Sequence, residues 1–148
     1  DGPVPVVAGG LKPAYFHSKP NVKGPVITVS ASGANAGHVN LYQQDIWASD
    51  CSYIDLEADN YIYFRYLQLK SMQTEIFAMQ HGAAQPHVYP SDLDRLVVIH
   101  PDSNLVILFE EQVTQMFSLI KNLKVANIQL ETARDILLPR LMNGELTV

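Results

Sequence analysis

Apolar residues recur at alternating spacings of four and three through Phe109, Val113, Met116, Ile120, Leu123, Asn127, Leu130, Arg134, Leu137 and Leu141. That is a heptad pattern held for more than four repeats, and it predicts one coiled-coil helix from Asn104 to Val148. Asn127 and Arg134 interrupt the apolar seam. A polar side chain at such a position lowers stability but fixes register and partner choice. The pattern therefore predicts a spacer with a specified partner.

The rest of the chain alternates differently. Short β-branched runs, Val4–Val7, Val26–Val29, Val39–Tyr42 and Cys51–Ile54, are separated by Gly, Pro, Ser and Asn clusters and predict strands. Tyr63, Tyr66, Leu67 and Lys70 repeat at helical spacing and predict a helix from Tyr61 to about Gln80, with Asp59 or Asn60 as its cap and Gly82 beyond its end. A loop follows from Gly82 to His87, then a short capped turn at Ser91–Asp94 and a buried strand at Leu96–Ile99. The expected architecture is α+β, a β-rich domain over residues 1–103 followed by the long C-terminal helix over 104–148.

Composition narrows the class. With 148 residues, 47% of them apolar and 17% charged, the chain fits one folded domain plus an appendage. No apolar run approaches the roughly 20 residues that span a bilayer, so no membrane partner is expected. The start, Asp1-Gly2-Pro3, has no initiator Met and no signal-peptide pattern, and reads as an internal cut. A lone cysteine, Cys51, in an apolar-alternating segment reads as a buried structural thiol in a reducing cytoplasm. Trp47 and Asp50 read as structural, a buried ring and a carboxylate satisfying a turn. Net charge is −5, unevenly placed. Residues 1–44 set three lysines against Asp1, whereas residues 45–104 set nine carboxylates against Arg65, Lys70 and Arg95. An acidic total argues against strong non-specific binding to a polyanion unless a partner supplies the phosphate contacts.

Enzyme signatures are absent. There is no phosphate-binding loop ending in Gly-Lys-Ser/Thr, no Gly-x-Gly-x-x-Gly, no Asn/Asp-Pro-Pro-aromatic tetrapeptide and no metal-ligand spacing among the five histidines. Two polar loops have a binding character. Ser30, Ser32, Asn35 and His38 lie among small residues that permit close approach, and such side chains can read base edges or contact phosphate. A Gly-rich turn chosen for conformation alone fits the same residues. Gln85 and His87 form the second loop, where Gln suits a bidentate contact to adenine. A loop bonded to its own backbone is the alternative there. Lys12 and Tyr15 belong to a basic and aromatic stretch that suits a backbone-contacting edge, or an ordinary solvated surface.

The tail Leu130-Glu131-x-x-Arg134-Asp135-x-Leu137-Leu138-Pro139-Arg140-Leu141-Met142-x-Gly144-Glu145 resembles the C-terminal signature of specificity subunits of type I restriction–modification enzymes. Pro25–Ser30 with Gly33 and Gly37 resembles the early part of a target recognition domain, and Gly82–Val88 with Ser91-Asp92-Leu93 its closing loop. Family members carry two recognition domains and two long helices, so the resemblance implies a half subunit or C-terminal fragment. It also implies a non-catalytic protein that reads one half of a bipartite site in double-stranded DNA. The long helix would pair with a second copy, or with the other half of the subunit, as a ruler. Methyltransferase subunits would bring S-adenosylmethionine chemistry, and a motor-nuclease restriction subunit would bring ATP and Mg; none of these cofactors is expected in this chain. The competing expectations are a coiled-coil assembly or adaptor protein without DNA reading, and the recognition domain of another methyltransferase or a fused restriction enzyme.

Overall fold

The computed structural model describes residues 2–145. Asp1 and the last three positions of the expected helix, 146–148, lie outside the described residues. In chain order come β1 (Val4–Val7), β2 (Tyr15–His17), β3 (Val26–Ser30), β4 (Val39–Tyr42), β5 (Trp47–Ala48), β6 (Cys51–Ile54), α1 (Ile62–Ser71), α2 (Gln73–Ala78), α3 (Pro90–Leu93) and α4 (Ser103–Met142). This is the expected α+β order of a β-rich domain followed by a long helix. The chain divides into two compact units, Asp1–Glu111 and Gln112–Val148. The division falls within α4 rather than at its start, because the first turns of α4 belong to the β-rich unit.

Two three-stranded sheets build that unit, in the orders β2-β1-β5 and β4-β3-β6. Strand β3 is central in the second sheet and antiparallel to both neighbours, with Ile27 opposite Leu41 on one side and Ile54 on the other. All five of its residues are buried. Successive side chains of a strand point to opposite faces. Accordingly Ile27 and Val29 enter a core with Val39, Ile62, Leu69 and Ile76, while Val26 joins Val7, Val22 and Ile46 in another. Burial on both faces explains why this strand reads as an unbroken apolar run.

Several sequence expectations require correction. Tyr15–His17 and Trp47–Ala48 are strands, held by pairing with β1. Trp47 is half-buried rather than buried, its indole tilted against the His17 ring at 4.3 Å. The expected single helix is two, divided at Met72 where Lys70 Nζ and Gln73 Nε2 reach the carbonyls of Val39 and Gly37. Leu96–Ile99 is neither a strand nor buried. It pairs with no strand; Leu96 and Val98 are half-buried, lining a pocket with Ser52–Ile54 of β6, while Val97 is 90% exposed. Neither Asp59 nor Asn60 is the N-cap of α1, although an Asp59 carboxylate oxygen accepts the Tyr61 N–H. Instead Glu110 of α4 caps that helix, accepting the N–H groups of Tyr63 at 3.0 Å and Phe64 at 2.7 Å.

Candidate functional site

A ladder of backbone hydrogen bonds runs across one end of the β-rich unit. Ser49 N–H donates to Val7, Ala31 N–H to the Asp50 carbonyl, Val88 N–H to Ala31, and Gly33 N–H to Pro86. Ser32 faces His87 as an antiparallel bridge, and His87 faces His81 in the same way. The loops 30–38 and 82–88 are therefore stitched together, as expected from each leaving an apolar run. Gly9 completes the edge: a Cβ there would sit 2.4 Å from the Ser32 carbonyl oxygen, so the turn after β1 presses on the first loop.

Hydrogen bonds and close packing hold each loop in place. The first folds on itself through Ala36 N–H to Gly33, His38 N–H to Asn35 and Gly37 N–H to Ser30. From the other side Gln73 and Gln80 of the helical segment donate to the Gly37 and Ala36 carbonyls at 2.7 and 2.8 Å. Gly37 has φ +84°, and a Cβ on it would meet Ile76 at 3.0 Å and Val88 at 3.3 Å. The small residues Ala36 and Gly37 are thus buried packing elements, not openings for a ligand. Gly82, at φ +89°, makes the corresponding bend in the second loop.

The eight expected contact residues sort by exposure. Gln85 and Lys12 are exposed, Tyr15 is 60% exposed, and Asn35 and His87 are half-buried. Ser30 is buried with its hydroxyl directed at the Ser32 carbonyl, so it does not present itself to a ligand. The half-buried Ser32 donates its hydroxyl to an Asp50 carboxylate oxygen, which makes Asp50 the tie of the first loop. His38 stacks on Phe77 at 6.4 Å, and burial, then Lys70, hold its imidazole below the usual pKa. Of the loop residues Ser30 is buried and Gln85 exposed, whereas Ser32, Asn35, His38 and His87 are all half-buried, Ser32 and His38 being engaged by Asp50 and Phe77. Lys12 and Tyr15 lie in and beside the turn after β1, whose start abuts Ser32.

Residues the pattern did not single out join this edge. His81, Tyr89 and Asp92 flank His87: the Tyr89 ring lies 5.9 Å from His87 and 6.0 Å from His81. The recurrence of His on both sides of the Gly82–Pro86 loop was the available signal. Elsewhere, Cys51 is half-buried rather than buried, and that burial pushes its thiol up to about 11, in keeping with a structural thiol. Among the described residues no cluster of His, Cys, Asp or Glu could hold a metal ion. No helix among them is long and apolar enough to cross a membrane.

The second unit carries the seam. Val113 is buried, but Met116, Ile120, Leu123, Leu130, Leu137 and Leu141 are exposed large apolar residues, and Asn127 and Arg134 are exposed beside them. Phe109 lies before the division, its ring edge-on to Phe64 at 6.0 Å, so its packing is within the β-rich unit.

A family model described as the type I restriction modification DNA specificity domain matches residues 4–137. The chain is 29% identical over 86 residues to the HindI specificity subunit of a type I restriction enzyme from Haemophilus influenzae, covering 56% of this chain and 19% of that protein. It is 33% identical over 86 residues to the MjaIX specificity subunit from Methanocaldococcus jannaschii, covering 58% and 20%. It thus spans about a fifth of the length of these curated relatives. The S subunit of a type I restriction–modification system from M. genitalium has the same fold over 95% of this chain and 38% of its own, with a TM-score of 0.74 and 24% identity.

Proposed function

The chain belongs to the type I restriction modification DNA specificity domain family, and from that premise we propose that its stitched loop edge reads base pairs in one half of a bipartite DNA site. The observation that carries this reading is the ladder joining Ser32, His87 and His81, which holds two polar loops as one rigid rim. Rigid presentation matters because a base-edge contact needs fixed geometry, and loop ordering otherwise subtracts from affinity. Gln85 and Asn35 are the candidate readers of base edges, since both amides can donate and accept at once. Lys12, Tyr15 and His87 suit the flanking sugar–phosphate contacts that set register.

The chemistry belongs to partners in this reading. Methyltransferase subunits would act on adenine with S-adenosylmethionine, and a motor-nuclease subunit would use ATP and Mg. The exposed apolar seam of residues 112–142 supports pairing with a second copy or with the other half of a longer subunit, antiparallel, as the ruler between half-sites. A stripe of that length left in water invites association.

The test is Gln85→Ala in the assembled methyltransferase, assayed on duplexes that each vary one base pair. A loss confined to one base position, worth about 1–3 kcal/mol, is expected of a bidentate contact. Uniform loss across all sequences would instead assign Gln85 to backbone contact or folding.

A further inference from the structure

One face of the first sheet carries an aromatic group that the reading above uses only through Tyr15. Pairing sets Val4 opposite His17, and Val6 opposite both Tyr15 and Trp47, so these five side chains share a face of β2-β1-β5. The alternate residues Val7 and Ala48 pack on the other face with Val22, Val26 and Ile46. The His17 and Trp47 rings meet across β1, 4.3 Å apart and tilted by 46°. His17 Nδ1 accepts the Lys19 N–H at 3.1 Å, which ties that ring to the basic turn beyond β2. Both residues are half-buried, and Tyr15 beside them is 60% exposed.

We propose that Tyr15, His17 and Trp47 form a stacking surface for the base of an unpaired nucleotide, with Lys12 and Lys19 holding the phosphates on either side. The inference goes beyond the reading of base pairs and does not depend on it.

Shape and charge carry it. Aromatic rings presented on a sheet face stack on any base, since every base has a π-face. A paired base keeps both of its faces inside the duplex stack, so only an unpaired one can be taken up. Charge selects a phosphate-bearing ligand over an apolar protein surface. Residues 2–44 hold Lys12, Lys19 and Lys23 and no carboxylate, in a chain of net charge −5. Lys12 and Lys19 are exposed and bracket β2. The carboxylates nearest Trp47 in sequence are engaged elsewhere, Asp45 by the Gly24 N–H at 3.1 Å and Asp50 by the Ser32 hydroxyl. A basic track beside aromatic rings is the combination by which single strands are held. The unpaired base belongs either to a free strand or to a nucleotide displaced from a duplex, and the stacking chemistry is the same for both.

Trp47 is the only tryptophan of the chain, so its fluorescence reports on this surface alone. The full chain is titrated at low salt with three probes: oligo(dA) of about ten nucleotides, a perfect duplex of the same length, and that duplex with one unpaired adenine. The single strand is expected to quench Trp47 emission, whereas the perfect duplex leaves it unchanged. Quenching by the bulged duplex as well assigns the surface to displaced nucleotides; quenching by the single strand alone assigns it to free strands. Tyr15→Ala should bind the strand about tenfold more weakly, and Tyr15→Phe, which keeps the ring, should bind like wild type. Lys19→Gln should lower the salt slope by about 0.7. Gln85→Ala should leave the quenching as it is, so that failure of either reading leaves the other standing. Emission unchanged by both unpaired probes, or quenched equally by the perfect duplex, would overturn the assignment. So would a Tyr15→Ala chain that binds the strand like wild type.

Discussion

Glu110→Ala is the sharpest perturbation of the β-rich unit. Helix α1 begins at Ile62, and its first amides have no carbonyl one turn back to receive them. Glu110 receives two of them, Tyr63 and Phe64, one on each carboxylate oxygen at 3.0 and 2.7 Å. Removing the carboxylate strips a charge-assisted acceptor from two partly buried donors and an anion from the positive end of a helix. A lost cap costs about 0.5–2 kcal/mol, and the helix-end charge adds about 0.3–1 kcal/mol. Because two amides are orphaned rather than one, we expect a loss of about 2–3 kcal/mol by urea titration. Glu110→Gln keeps one good acceptor and should lose about half as much. Hydrogen exchange gives a local check: the Tyr63 and Phe64 amides should lose protection in Glu110→Ala. A stability change below about 0.5 kcal/mol, the range of neutral surface substitutions, with both amides still protected would refute the capping argument.

Asn127→Leu should stabilise the pairing of the long helix yet loosen its register or stoichiometry, the trade made by a buried polar seam residue. Analytical ultracentrifugation checks it; a variant with unchanged stoichiometry and unchanged melting would place Asn127 outside the seam. The isolated chain, at net charge −5, should bind random duplex weakly, with firm binding only alongside the proposed methyltransferase partner. Tight binding by the chain alone at physiological salt, measured by fluorescence anisotropy, would contradict that.

Elements with strong local patterns were legible in the sequence. Val4–Val7, Val39–Tyr42 and Cys51–Ile54 are strands with the expected bounds, because β-branched runs between turn residues specify them locally. Tyr15–His17 and Trp47–Ala48 carry too short a pattern to be read, and pairing with β1 makes them strands. Leu96–Ile99 shows the reverse: a strand-like composition in a segment that forms no strand pairing. At the candidate site, the two loops were visible as polar breaks between apolar runs. Their stitching was not, since it depends on Asp50, His81 and Val88 meeting them across the fold. Nor does local sequence distinguish Ser30, which is buried at the end of β3, from Asn35, half-buried five positions beyond it in the loop that follows the same strand. The Glu110 cap is invisible for the same reason, because donor and acceptor lie 46 and 47 residues apart.

The decisive measurement of base reading by the loop edge is selection from a library of randomised duplexes by the chain assembled with the proposed methyltransferase subunits. Enrichment of a short run of specified base pairs is expected, with Gln85→Ala relaxing the preference at one of them. Firm binding that enriches no sequence over the starting library would contradict base reading by this rim and leave the chain a structural adaptor.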